Sequence, residues 1–362
     1  MERIKCNLTE IQQLESGTLI EVVGLVKNIQ TKKRTNGEDY IFLTICDNKT
    51  ELSFPIWDDV KKRLSILEEG ILLKIVGAVH EYNESKQIKV DRLILEKMAD
   101  NKLKDYIPSY EFGEAYIEAF QDILISMIHL ENKKYKEFIF RYLGINENIA
   151  NKLIDKLLEK DVELSSEENA FEEHILYLIP KDSKFYKLLF APAAIHHHQN
   201  KIGGCLLHTA GVLNNVVNIL STYVEKEKSS QFAFTNDIIN KDRLIMCAIL
   251  HDIEKTVEYE WEKGIKRSDS KFHHRLLFIK ESERINEANI VMTGKAIFDD
   301  KELSEIQELV LTHHGPWGGY KPKTLEGLIL FCADLIDANV ASCVENNSTQ
   351  VDMKLTRMID SE

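Results

Sequence analysis

No apolar run in this 362-residue chain approaches the roughly 18 residues needed to cross a bilayer, so no membrane span is expected. The opening Met1-Glu2-Arg3-Ile4-Lys5-Cys6 lacks the basic, apolar, small-residue order of a secretion signal, and the expected location is cytoplasmic. Cysteine is sparse and scattered at Cys6, Cys46, Cys205, Cys247, Cys332 and Cys343, without a Cys-x-x-Cys pair. Several of these sit in apolar runs and read as small buried hydrophobes, which excludes a disulfide framework or a zinc knuckle. Proline and glycine are few, and no repeat or low-complexity tract interrupts an ordinary globular composition. A basic excess is missing too. The net charge of −13 argues against a protein that coats nucleic acid non-specifically.

What is present is unevenly distributed. Residues 1–100 carry a net charge of −2 and the rest −11, so the acid lies in the C-terminal part. Such a balance suits a cation-loaded site, and equally suits plain solubility. The length allows two domains with sizeable cores.

Residues 17–98 alternate with period two over Thr18–Thr31, Asp39–Asp47, Glu51–Trp57, Ile71–Tyr82 and Gln87–Leu95. Turn signals at Asn36-Gly37, Asp47-Asn48 and Asn83-Glu84-Ser85 separate them, and a helical stretch over Asp58–Glu69 falls after the third strand. Five strands with a helix in that gap predict an all-β OB-fold barrel over residues 1–99. Ile41, Leu43 and Ile45 with Leu52, Phe54 and Ile56 then fill the barrel, while Tyr40, Phe42, Ser53 and Trp57 face outward. Those rings suit base stacking, and packing on a neighbouring domain fits them equally well. Lys32, Lys33 and Arg34 are read as a loop placed for phosphates. Pro55, which cannot donate to a ladder, predicts an edge strand.

Residues 100–190 show apolar residues at helical spacing and are read as a connecting helical layer; residues 191–346 form a second, all-α domain, and 347–362 a charged tail. Glu225–Ser230 reads as a polar loop. Nine of the twelve histidines fall between residues 196 and 314. The apolar run Leu244–Leu250 leads straight into His251-Asp252. An imidazole and a carboxylate buried at the end of such a run are costly unless paired, and a divalent metal pairs with both. His208, His251, Asp252 and Asp334 compose one nitrogen–oxygen ligand set. His274 and His313 offer ligands for a second ion, with Asp252 able to bridge.

The order Gly203-Gly204-Cys205-Leu206-Leu207-His208-Thr209, Leu250-His251-Asp252-Ile253-Glu254-Lys255, Thr312-His313-His314-Gly315 and Ala333-Asp334-Leu335-Ile336-Asp337 resembles the HD-domain superfamily of metal-dependent phosphohydrolases. With the barrel in front, the chain is similar to the YhaM family of 3′-5′ exoribonucleases, which join an OB-fold to an HD domain. The resemblance implies two divalent ions, Mn²⁺ first and Mg²⁺, Co²⁺ or Fe as alternatives, and single-stranded RNA or DNA as partner. It implies Asp252 as the bridge, Lys255 as a phosphate contact, and His314 and His198 as further contacts at the site. Two departures stand out. Glu254 occupies a position where the family usually has glycine; it reads either as an extra carboxylate beside the metals that tunes the substrate or, the favoured reading, as a continuation of the helix into solvent. His273-His274 replaces the usual Gly-His, which leaves either histidine as the ligand. The segment Thr256–Ser270 reads as a hairpin that could cover the cleft. Hydrolysis of small or cyclic nucleotides, a di-iron oxygenase centre and a non-catalytic nucleic-acid-binding module are the competing readings. Homo-oligomerisation is not readable from the sequence.

Overall fold

A computed structural model describes residues 3–82, 85–95, 106–107, 109–110, 113–160, 171, 175–195, 199–223, 239–261, 265–270, 272–345 and 347–349. The expected Asn83-Glu84 turn, the Glu225–Ser230 loop, His198, the centre of the Thr256–Ser270 hairpin and tail residues 350–362 lie outside them. Two compact units divide the chain: residues 1–109 with 259–268, and residues 110–258 with 269–362.

The first unit is an antiparallel sheet, because its Val/Ile-rich alternation favours pleated, half-buried backbone. Its strands are β2 (Leu19–Lys33), β3 (Asp39–Cys46), β4 (Glu51–Ile56), β5 (Leu72–Tyr82) and β6 (Ser85–Leu95), paired in the order β4-β3-β2-β5-β6. The terminal strands β4 and β6 also touch, so the sheet coils towards a barrel. Ile41, Leu43, Ile45, Leu52, Phe54 and Ile56 are all in its core, as the alternation requires. Pro55 lies on the end strand β4. Two short elements carry no usable periodicity: β1 (Ile4–Lys5), parallel to β2, and α1 (Leu8–Ile11). Helix α1 starts with a capping box between Asn7 and Glu10, and drops Leu8 and Ile11 into the same core. Helix α2 (Val60–Leu64) is shorter than the twelve-residue stretch expected. Lys32 and Lys33 are corrected from loop to strand. The β2–β3 register continues to Lys33↔Asp39, and only Arg34 to Glu38 form the turn, closed by Arg34 N–H to the Glu38 carbonyl.

The second unit is helical: α3 (Glu114–Ile128), α4 (Lys133–Leu143), α5 (Glu147–Lys160), α6 (Lys184–Leu188), α7 (Gly204–Tyr223), α8 (Lys241–Leu250), α9 (Lys255–Glu258), α10 (His274–Thr293), α11 (Asp300–Thr312) and α12 (Leu325–Glu345). Helix α7 packs on α3, α8 and α12. Leu244 and Met246–Leu250 of α8 are fully enclosed. Each large side chain so buried contributes about 1.5–3 kcal/mol. Arg243, early in α8, donates from Nε and Nη2 to the two Glu326 oxygens at 2.7 and 2.8 Å, a bidentate clamp joining α8 to α12. The helix that delivers His251 is thereby held to the one that delivers Asp334. Residues 259–260 and 266–267 pair as a short hairpin, β7 and β8, which clusters with the first unit, while Thr256 and Val257 are helical.

Candidate functional site

Six side chains expected as ligands come together in the second unit. His208 lies in the second turn of α7, His251 ends α8, Asp252 follows it, His274 opens α10, His313 ends α11 and Asp334 sits inside α12. His208, His251, Asp252, His274 and His313 are at most 1% exposed, and Asp334 is 9% exposed. Among the described residues, donor atoms gather as His208/His251/Asp334 and as Asp252/His274/His313 with His314, and Glu258/His273/His274 form a third group that shares His274.

Each histidine ring is oriented from behind. Nδ1 of His251 bonds the Ala248 carbonyl at 2.7 Å, and Nδ1 of His313 the Val310 carbonyl at 2.6 Å. Nδ1 of His208 meets Asp337 Oδ2 and that of His274 meets Glu258 Oε2, both at 2.7 Å. These partners only accept, so every Nδ1 carries the proton and every Nε2 presents its lone pair forward. All four converge on Asp252. Oδ1 lies 3.2 Å from His274 Nε2 and 3.5 Å from His313 Nε2. Oδ2 lies 3.4 Å from His208 Nε2 and 3.5 Å from His251 Nε2. Asp334 Oδ1 adds a carboxylate 3.0 Å from His208 Nε2.

Lone pairs facing carboxylate oxygens in a dry interior repel unless something positive lies between them. Both Asp252 oxygens and Nε2 of His274 and His313 are buried without a hydrogen-bond partner. These buried atoms, all of kinds that bind metals, fit a divalent cation at Asp252. Titration agrees. Burial opposes ionising Asp252, but Lys255, His251 and His274 hold its pKa well below the usual carboxylate range. Burial also keeps His274 well below the ordinary imidazole value, lowers His313 and strongly lowers His314, so these stay neutral and able to ligate. His208 differs. Burial disfavours its cation, yet Asp252, Asp334 and Asp337 together raise its pKa well above normal.

His274, not His273, faces Asp252; the His273 ring stacks beside it at 3.9 Å and accepts from Arg275 Nε. The His314 ring lies 4.1 Å from that of His313. Lys255 is 6% exposed, and its Nζ forms an ion pair with Asp252 Oδ2 at 2.5 Å.

Glu254 corrects the expectation that it runs into solvent. It is 3% exposed, accepts a 2.7 Å hydrogen bond from Tyr142 Oη and pairs with Lys184 Nζ. The chain turns between α8 and α9, which swings this carboxylate inward against α4 and α6 instead of outward along a continued helix. The layer over residues 100–190 thus supports the metal loop directly.

Sequence reasoning assigned no role to Asp337 and Glu258. Asp337 is three residues after Asp334, on the same face of α12, a spacing that could have flagged it. Its approach depends on Gly211, where a Cβ would stand 1.8 Å from Asp337 Oδ1. Outer partners of this kind orient ligating histidines, and losing one typically costs ten- to hundredfold in metal affinity. Asp337→Asn and Gly211→Ala are therefore each expected to weaken Mn²⁺ binding by about 10–100-fold in titration calorimetry. Unchanged affinity in both would remove Asp337 from the site.

On the first unit, the residues expected to bind nucleic acid form a patch across β2, β3 and β4. Tyr40 and Trp57 stack with ring centres 4.5 Å apart, Arg34 lies 4.7 Å over Trp57 and Lys32 lies 4.2 Å over Phe42. Trp57 remains 49% exposed. Lys33 is exposed at the end of β2.

Residues 208–339 match the family model described as HD domain. The chain is 22% identical over 337 residues to the 3′-5′ exoribonuclease YhaM of Geobacillus sp. (strain WCH70), covering 91% of this chain and 85% of the relative. The protein of the same name from Oceanobacillus iheyensis is 23% identical over 322 residues, covering 87% and 83%. Among solved structures, the second OB-fold domain of replication protein A from Methanococcus maripaludis aligns over 26% of this chain and 98% of its own length. That alignment has 15% identity and a TM-score of 0.21. An OB-like antiparallel sheet is followed here by a helical HD domain over residues 208–339, and that domain holds the histidine–aspartate cluster.

Proposed function

We propose that the chain is a metal-dependent 3′-5′ exonuclease hydrolysing phosphodiester bonds of single-stranded RNA, with single-stranded DNA as a second substrate. One observation carries this reading: Asp252 is shared between two histidine pairs whose Nε2 lone pairs all face it. The relatives named as exoribonucleases, similar along most of the chain, supply the polarity and the polymer. The chemistry that divalent cations, Mn²⁺ first, would supply when bound there is polarisation of phosphoryl oxygens and a lowered pKa of water.

The chain's own residues do the rest. His208, His251, Asp252, His274, His313 and Asp334 would hold the metal. Their Nδ1 partners prevent ring rotation, so the geometry is set before substrate arrives. Lys255 sits on Asp252 and balances its charge; a phosphate entering beside it gives that ammonium a second anion to contact. His314, whose donor atom lies with those of Asp252, His274 and His313, is assigned in this reading to bond a phosphate oxygen or the leaving hydroxyl. The patch of Lys32, Arg34, Tyr40, Phe42 and Trp57 binds the strand by stacking and phosphate contact, with Lys33 adding charge.

A time course on 5′-labelled RNA and DNA with each divalent metal tests the reaction. A ladder shortening from the 3′ end is the expected result. Intact strands alongside hydrolysed mono- or cyclic nucleotides would replace this reading by the small-nucleotide one. For the patch, Trp57→Ala removes a stacking ring worth about 1–3 kcal/mol per base, and single-strand affinity is expected to fall at least fivefold. Lys32→Ala should make the salt dependence shallower by about 0.7 in log–log slope. Wild-type binding by both variants would discard the patch.

A further inference from the structure

A second aromatic and basic cluster lies on the metal-binding unit, in the segment that follows His313 and His314. Trp317-Gly-Gly-Tyr320-Lys321-Pro-Lys323 interleaves rings and lysines within a domain whose overall charge is strongly negative. Trp317 is 42% exposed and Tyr320 47%, and both lysines are exposed. Exposure alone would say little, because other large apolar side chains on this chain are equally open. What sets these two apart is where they are held, and how firmly.

The segment begins inside the site. His314 belongs to the ligand group around Asp252, and Gly315–Gly318 forms a 3₁₀ turn directly after it. Arg275, next to His274, donates from Nη1 to the carbonyls of Leu311 and Gly318, both at 3.0 Å. One guanidinium thus ties the end of α11, the turn and the start of α10 together. The contact requires glycine at 318, where a Cβ would come within 2.3 Å of Arg275 Nη1. Trp317 rests on the buried Phe331 ring, with centroids 5.6 Å apart, and Tyr320 lies 5.8 Å from the Arg275 guanidinium. Both rings are supported from one side and open on the other. Exposed rings seated on a neighbouring ring or cation, with lysines beside them, are the composition that binds single strands without reading sequence: bases stack and ammonium groups meet phosphates.

We infer that the Trp317–Lys323 segment is a strand-binding lip of the metal site, with Trp317 and Tyr320 stacking on bases and Lys321 and Lys323 contacting phosphates. It rests on the reading of the chain as a nuclease, and it assigns the nucleotides next to the reacting phosphate a platform separate from the β2–β4 patch. A polyanion is the occupant that suits the lysines; a second copy of this acidic chain would have to desolvate them.

The test measures binding and turnover separately. Fluorescein-labelled oligo(rU) is titrated with the full chain in EDTA, read by anisotropy, against Trp317→Ala, Tyr320→Ala and Lys321→Ala/Lys323→Ala. Each lost ring is expected to weaken binding at least about fivefold, and the lysine pair to flatten the salt slope by about 1.4. With Mn²⁺ present, the ring variants should raise KM for the oligonucleotide by a similar factor and lower its kcat by less than that factor. Trp317→Phe, which keeps a ring, should recover most of the affinity, separating stacking from misfolding. Wild-type affinity and KM in the alanine variants would overturn the lip even if the wild type shortens strands. A change in sedimentation mass with unchanged strand affinity would overturn it as well, in favour of a protein-binding surface. If the wild type cuts no strand the nuclease reading falls, and the EDTA titration still decides whether the lip binds one.

Discussion

Asp252→Asn is expected to lose metal-dependent hydrolysis, by well over the 100-fold typical of an outer partner, together with the shared metal binding. The reason lies in what the four Nε2 atoms face. A carboxylate gives each histidine pair an oxygen, at 3.2–3.5 Å, and leaves every lone pair in want of a cation. An amide gives an oxygen to one pair and an NH₂ to the other. That NH₂ donates to a lone pair directly and removes the demand for metal on its side. Two measurements follow. Calorimetric stoichiometry for Mn²⁺ should drop, and the metal-induced rise in Tm should shrink, because a ligand stabilises only by RT ln(1 + [L]/Kd). A variant with wild-type stoichiometry and turnover would sink the bridging role.

Glu254→Ala carries the largest expected stability loss. Removing one partner of a buried ion pair costs about 3–5 kcal/mol, since the other charge stays behind unpaired. Lys184 keeps some solvent access, and Glu281 lies 3.5 Å away, so the expectation here is the lower end, about 3 kcal/mol. Tyr142, whose hydroxyl donates to Glu254 from full burial, loses its acceptor in the same step. Chemical denaturation should show a lower midpoint at unchanged slope. Lys184→Met combined with Glu254→Ala should recover part of the loss, because no uncompensated charge remains. If Glu254→Ala unfolds at the wild-type midpoint, the carboxylate does not anchor the metal loop.

These two residues show where local reading works and where it stops. Asp252 was legible because of what precedes it in the chain. A saturated apolar run ends in His-Asp, and the only cheap way to bury that pair is to give it a cation. Glu254, two positions later, has no such signature. Whether it faces solvent or core depends on the turn between α8 and α9, which is stabilised by helices far away in sequence. The strands were legible for the same reason as Asp252: a period of two in Ile41, Leu43 and Ile45 leaves one face to bury. Residues β1 and α1 were not, because two- and four-residue elements are too short to express a period.

The amino-acid order by itself therefore pointed to the class of both units, the barrel face, and His208, His251, Asp252, His313 and Asp334 as candidate donors, with His273 and His274 undivided between them. Each of those follows from a local pattern of polarity or from the chemistry a residue type must find when buried. Only the tertiary structure decided which way the donors turn. Asp337 and Glu258 reach the backs of His208 and His274, the Ala248 and Val310 carbonyls hold His251 and His313, and Gly211 leaves room for the first of these contacts. Hydrogen-bond direction is a property of atoms brought within 3 Å, and that proximity exists only after α7, α8, α10, α11 and α12 have packed.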